Sequence, residues 1–242
     1  MPSAAAQRDI PPEMVYTPPD RPATWGEGAI LPVDKPRSLP SFDVVETVRE
    51  GTEVQKVGHA GTLDPMATGL LIILVARPAT RLQAACMHLP KTYEATLRLG
   101  ETTPSYDTET EVVKRTDPSG ITRADIDGAR ESFLGPIEQV PPMYSAVRVD
   151  GERLYEKARR GETVDRPPRQ VRVDRFELME WASPDLTVRI ECSKGTYIRA
   201  LARDLGETLG VGAHLTALRR TDIAAFSVDD SWTLAALEET LS

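Results

Sequence analysis

Gly58-His-Ala-Gly-Thr-Leu-Asp64-Pro-Met-Ala-Thr-Gly-Leu-Leu71 places one carboxylate among three glycines and a proline, directly ahead of an apolar run. Pro65 steers Asp64 away from the α region. Gly58, Gly61 and Gly69 permit turns and close backbone approach that a side chain would resist. The stretch predicts a shaped loop that presents Asp64. An Asp-Pro pair beside glycines is also an ordinary turn, so the loop by itself leaves the purpose of the carboxylate open.

Outward from this loop the chain alternates between helical and extended patterns. Upstream, Ser41 is a natural N-cap for a helix through Glu50, with Val44, Val45 and Val48 on one side. Downstream, Lys91 to Leu99 alternates, with Tyr93, Ala95, Leu97 and Leu99 on one face, which predicts a half-buried strand. Thr122-Arg-Ala-Asp125 has the form of a capping box ahead of Ile126, Ala129 and Phe133, with Gly135 as the expected stop. Leu186 to Cys192 alternates again, and from Ile198 to Leu209 the apolar spacing becomes helical before Gly210. Residues 140–168 interrupt this order with prolines and charge and read as an insertion reaching away from the core. Residues 1–28 carry six prolines and no apolar periodicity and read as an extension or strap. Strands and helices without a regular βαβ rhythm point to an α+β fold.

The chain has 242 residues, and 29 Lys+Arg against 37 Asp+Glu give a net charge of −8. That balance argues against nucleic-acid binding by bulk electrostatics. The charge is segregated, however. Arg148 to Arg175 holds nine basic and six acidic residues, whereas five acidic and no basic residues follow Arg220. Such a segment is either a solvated face or a grip for phosphates. The apolar run from Leu70 to Ala76 is too short to cross a bilayer, and no basic region followed by an apolar core opens the chain. Cys86 and Cys192 stand outside any ligand-spaced cluster and read as buried thiols in a reducing cytoplasm.

Several motifs together resemble the TruB-type tRNA pseudouridine synthases. Besides the Asp64 loop, they are Val33-Asp-Lys35-Pro36, Lys91-Thr-Tyr93-Glu-Ala, Pro142-Met-Tyr-Ser-Ala146, Cys192-Ser-Lys-Gly-Thr-Tyr-Ile-Arg199 and Gly212-Ala-His-Leu-Thr-Ala-Leu218-Arg-Arg, all in the family's order over residues 29–225. The resemblance implies a mixed, largely antiparallel sheet flanked by helices, with loop insertions that clasp RNA. It implies a catalytic domain over residues 29–242 with 140–168 as the RNA-binding insertion, and no room for the small C-terminal RNA-binding domain common in the family. The implied activity is isomerisation of uridine 55 in the T-loop of tRNA by a cytoplasmic, stand-alone monomer without metal, cofactor, guide RNA or membrane.

Residue by residue, the resemblance makes Asp64 the catalytic carboxylate and Arg199 the cation that pairs with it. Tyr93 becomes the aromatic that stacks on the base and takes part in the C5 proton step. Leu218 lines the uracil pocket, and His59 fills the gap left by the flipped nucleotide. Lys35 supports the pocket. With the match, Arg159 and Arg160 become candidates for gripping phosphates. Where the family usually shows Lys-Pro-x-Gly-x-Thr/Ser-Ser, this chain has Lys35-Pro-Arg-Ser38-Leu-Pro40-Ser41, so Ser38 replaces a glycine and Pro40 a hydroxyl. Guide-dependent relatives, a tRNA-folding chaperone without catalysis and an unrelated Asp64 hydrolase are the competing functions. The hydrolase lacks a second visible acid or a Ser/His arrangement.

Overall fold

The computed structural model describes residues 10–145, 148–149 and 151–241. Ala146, Val147 and Asp150 of the expected insertion, and residues 1–9 of the expected extension, lie outside them. The chain divides into two compact units, Met1–Glu94 with Leu218–Ser242, and Ala95–Ala217.

The first unit runs through β1 (Ala29–Lys35), α1 (Ser41–Thr52), β2 (Val57–His59), β3 (Thr68–Val75), α2 (Ala76–Thr80), α3 (Gln83–His88) and the start of β4 (Lys91–Leu99). The second holds the rest of β4, then β5 (Glu101–Thr102), β6 (Lys114–Arg115), α4 (Arg123–Glu131), β7 (Gly135–Gln139), β8 (Arg148–Val149), β9 (Glu152–Arg153), α5 (Leu154–Arg159), β10 (Arg169–Ala182), β11 (Asp185–Cys192), α6 (Ile198–Thr208) and the start of β12 (Ala213–Ile223). The chain returns to the first unit along β12 and ends with β13 (Phe226–Ser227), β14 (Trp232–Thr233) and α7 (Leu234–Leu241).

In the first unit β14 pairs parallel with β1, β1 antiparallel with β3, and β3 parallel with β12, while β2 adds antiparallel to β3. The run Leu70–Val75 is fully buried throughout, as expected of a strand covered on both faces. Leu70, Ile72 and Leu74 join Ile10, Ile30, Cys86, Leu89 and Val228 in one core cluster. Strand pleating turns Leu71 and Ile73 to the opposite face, and α1 packs on β3.

In the second unit β10 pairs antiparallel with both β11 and β7. Burial alternates strictly along β4 and β11, so each buries one side-chain row, as the sequence pattern predicts. The mixed, largely antiparallel sheet with helices is the α+β architecture expected. Among the described residues no helix is long and apolar enough to cross a membrane. Both cysteines are buried and free of disulfide bonds.

Two local expectations need correction. α1 does begin at Ser41, but Pro40 occupies the N-cap and no side chain caps the helix, because the Ser41 hydroxyl is engaged elsewhere. The capping box at Thr122 and Asp125 forms as expected, but α4 ends at Glu131 rather than running to Gly135. Gly135, at φ 84°, opens β7 instead. Phe133 leaves the helix register to sit 6.3 Å from the Phe176 ring. From residue 10 onward the N-terminal segment is a strap on the first unit. Val15 bridges to Ile30, and the Trp232 indole donates to Tyr16 O at 3.0 Å.

Candidate active site

Asp64 sits in the connection between β2 and β3, half-buried, with its backbone held on both sides. On the N-terminal side, the Ser41 hydroxyl donates to Leu63 O and accepts from Leu63 N, both at 2.9 Å. On the C-terminal side, Pro65 O accepts from Ser38 N at 2.8 Å and lies 3.5 Å from Lys35 Nζ. Asp64 O closes the turn by accepting from Ala67 N at 3.0 Å. The carboxylate is therefore aimed by a backbone with little freedom to swing.

Lys35, fully buried at the end of β1, also donates to Pro36 O at 2.9 Å and Leu39 O at 2.7 Å. Burial pushes its ammonium down from 10.5 to about 8; the Asp64 carboxylate pulls it back up, and the Arg220 guanidinium lowers it further. Lys35, Asp64 and Arg220 are thus electrostatic neighbours. Ser38 adopts φ 66°, the left-handed conformation for which the family pattern carries glycine. The turn keeps its shape by straining a serine, at a cost of about 1–2 kcal/mol.

The same unit carries Tyr93, Leu218 and His59. Tyr93 and Leu218 are 8% and 7% exposed, so each shows only an edge to solvent. β12 lies beside β4, where the Thr221 hydroxyl donates to Thr92 O at 3.3 Å. The His59 ring is held below its ordinary pKa by burial and then by Arg220. Its Nδ1 is buried and makes no hydrogen bond among the described residues.

In the second unit Arg199 lies in the first turn of α6, 3% exposed. Its Nη1 donates to Ser105 O at 3.2 Å, and its Nε is 3.6 Å from Asp107 Oδ2. Asp107 is itself fixed, accepting at Oδ1 from the Ser105 hydroxyl at 2.6 Å and from Glu109 N at 2.8 Å. Buried ion pairs persist only with such supporting hydrogen bonds.

A family model for the N-terminal domain of TruB family pseudouridylate synthases matches residues 49–198. The chain belongs to the TruB family of pseudouridylate synthases. A second model, for the C-terminal domain of tRNA pseudouridylate synthase B, matches residues 199–242. The tRNA pseudouridine synthase B of Mycobacterium sp. (strain KMS) is 49% identical over 216 residues, covering 88% of this chain and 72% of that protein. Its counterpart in Phocaeicola vulgatus is 45% identical over 221 residues, covering 89% of this chain and 94% of the relative. Among solved structures, a Cbf5-Nop10-Gar1 complex aligns with a TM-score of 0.70 at 29% identity, covering 96% of this chain and 60% of that one. An H/ACA RNP bound to a substrate RNA containing 2′-deoxyuridine aligns at 0.66 and 27%, covering 96% and 59%. This TruB-family chain thus spans about three fifths of those solved chains.

The remaining expected residues of this TruB-family protein lie on and just after α5. Arg159 is exposed, 3.5 Å from Glu109, with its guanidinium carbon 5.5 Å from the Tyr155 ring centroid. Arg160 is already answered twice, by Glu152 at 2.6 Å and Glu162 at 2.7 Å. The segment's excess charge is less available than its composition suggests. Leu154, fully buried, anchors it.

Sequence reasoning missed Ser41's tie to the loop, Asp107 and Arg220. Asp107 stands in the polar run Thr103-Thr-Pro-Ser-Tyr-Asp107-Thr, which has the composition of any loop. Only burial distinguishes it.

Two outcomes follow from these contacts. Ser41→Ala orphans both polar groups of Leu63, and a loss of about 1–3 kcal/mol is expected in denaturant unfolding; an unmoved midpoint would refute the tie. For Lys35, a folded pKa of about 8 against 10.5 means that the unfolded chain binds more protons between those values. Stability should therefore rise relative to a Lys35→Met chain as pH climbs from 8 to 10.5, with the ammonium's penalty fully present below 8. A pH-independent difference between the two chains would contradict the depressed value.

Proposed function

We propose that this chain is a stand-alone enzyme that converts uridine 55 in the T-loop of tRNAs to pseudouridine, with Asp64 as the essential carboxylate. The observation that carries the proposal is the pinned Asp64 turn in a TruB-family chain, with Tyr93 and Leu218 almost buried in the same unit. Pairing at up to 49% identity with proteins named tRNA pseudouridine synthase B, against 29% for the Cbf5 complex, favours action on tRNA without a guide.

The isomerisation breaks the bond from ribose C1′ to N1 and forms one from C1′ to C5, while the C5 proton is lost and N1 gains one. No outside atoms or electrons are consumed. A carboxylate beside the ribose stabilises or captures the sugar while the bond is broken, as in glycosyl chemistry. The target base must first leave its stack, at a cost of a few kcal/mol. We assign His59 to the vacated space, Tyr93 to the face and C5 edge of the flipped base, Leu218 to the pocket wall and Lys35 to support of the turn. Arg199 is the cation assigned to Asp64, and its burial beside Asp107 supports a rigid guanidinium.

Asp64→Asn should abolish pseudouridine in a tRNA transcript treated with purified protein while leaving tRNA affinity broadly intact. Full activity in that variant would remove Asp64 from the chemistry, and a requirement for added guide RNA would remove the stand-alone reading. For the phosphate grip, Arg159→Glu should weaken tRNA binding more than Arg160→Glu, because Arg160 is already neutralised by two carboxylates. Removing one cation that neutralises a phosphate should reduce the slope of log affinity against log salt by about 0.7–0.9. Unchanged affinity at low salt in both variants would return the segment to an ordinary solvated face.

A further inference from the structure

We infer that Arg220 is a positioning residue of the reaction: one buried guanidinium ties together the two stems of the Asp64 turn. Its side chain is among the largest that are fully buried, at 1% exposure. Nε donates to Leu70 O at 2.6 Å and Nη2 to Gly61 O at 2.9 Å, so it holds the strand after Asp64 and the segment before it. Its Cζ lies 6.0 Å from the Tyr93 ring centroid. One planar group thereby sets the spacing between the two sides of the turn and lies at the edge of cation–π range over the aromatic assigned to the base.

The backbone brings this about. β3 and β12 pair parallel, with Gly69 opposite Arg220. A Cβ at Gly69 would stand 2.2 Å from Arg220 O, and Gly69 has φ 100°, so only glycine allows this approach. Successive side chains of β12 then diverge. Arg219 forms a two-pronged bridge to Asp34 at 3.0 and 2.8 Å, while Arg220 turns to the loop.

A neutral donor could satisfy one carbonyl, but the guanidinium fork reaches two acceptors in fixed directions. The Arg220 charge acts on what surrounds it, lowering the pKa of both Lys35 and His59. Its presence beside the turn fits a role in placing charged groups there.

This inference rests on the proposed role of Asp64, so wild type, Asp64→Asn, Arg220→Lys and Arg220→Gln are compared together. Single-turnover pseudouridine formation at saturating tRNA, tRNA affinity and thermal melting are measured for each. Lysine keeps the charge but offers one nitrogen, and glutamine offers one donor without charge. A loosened turn should lower the rate of both Arg220 variants on the order of 10²-fold, the scale of an ångström's misplacement, with tRNA affinity unchanged. Arg220→Lys at wild-type rate, a defect in affinity alone, or a rate loss matched by the unfolded fraction would each overturn the inference. Unfolding of both variants would also overturn it by assigning Arg220 to stability. An inactive wild type or a fully active Asp64→Asn would instead overturn the proposed function.

Discussion

The Asp64 carboxylate is placed less by its own side chain than by the backbone that carries it. In this protein the placement comes from backbone hydrogen bonds to Leu63, Pro65, Gly61 and Leu70, supplied by Ser41, Ser38, Lys35 and Arg220. Those donors come from α1 and the turn before it, from β1 and from β12. The strand order β1–β3–β12 in the first unit is what gathers them around one turn. For the reaction proposed above, a turn fixed before substrate arrives removes an entropic cost from the chemical step.

The same economy appears around Arg199. Its partner Asp107 is held by a serine hydroxyl and a backbone amide, so the guanidinium is oriented by groups that are themselves oriented. Surface charge follows a different logic. Arg160 and its two glutamates neutralise one another in high dielectric, where such pairs contribute little to stability.

Much of the fold could be read because its elements obey local rules. The alternation from Lys91 to Leu99 is a strand because one row of side chains is buried, and the Thr122–Asp125 box caps a helix through its own hydrogen bonds. The Asp64 loop was legible as a loop, and family motifs attached roles to Tyr93, Arg199, His59 and Leu218. What could not be read depends on distant partners. Ser41 looks like an N-cap until its hydroxyl is seen on Leu63, 22 residues away. Gly135 looks like a helix stop, yet Phe133 is drawn out of register by Phe176. Ser38 looks disruptive in place of glycine, but a serine can take the left-handed conformation at modest cost.

The bond from Arg220 to Leu70 spans 150 residues of sequence. Closing so long a loop is slow, because its entropy must be lost before the bond repays it. On the ribosome, the turn that carries Asp64 emerges well before the strand that braces it, 150 residues further along. The braced geometry of the Asp64 turn is therefore a late product of folding, and a nascent chain that already holds its carboxylate does not yet hold it in place.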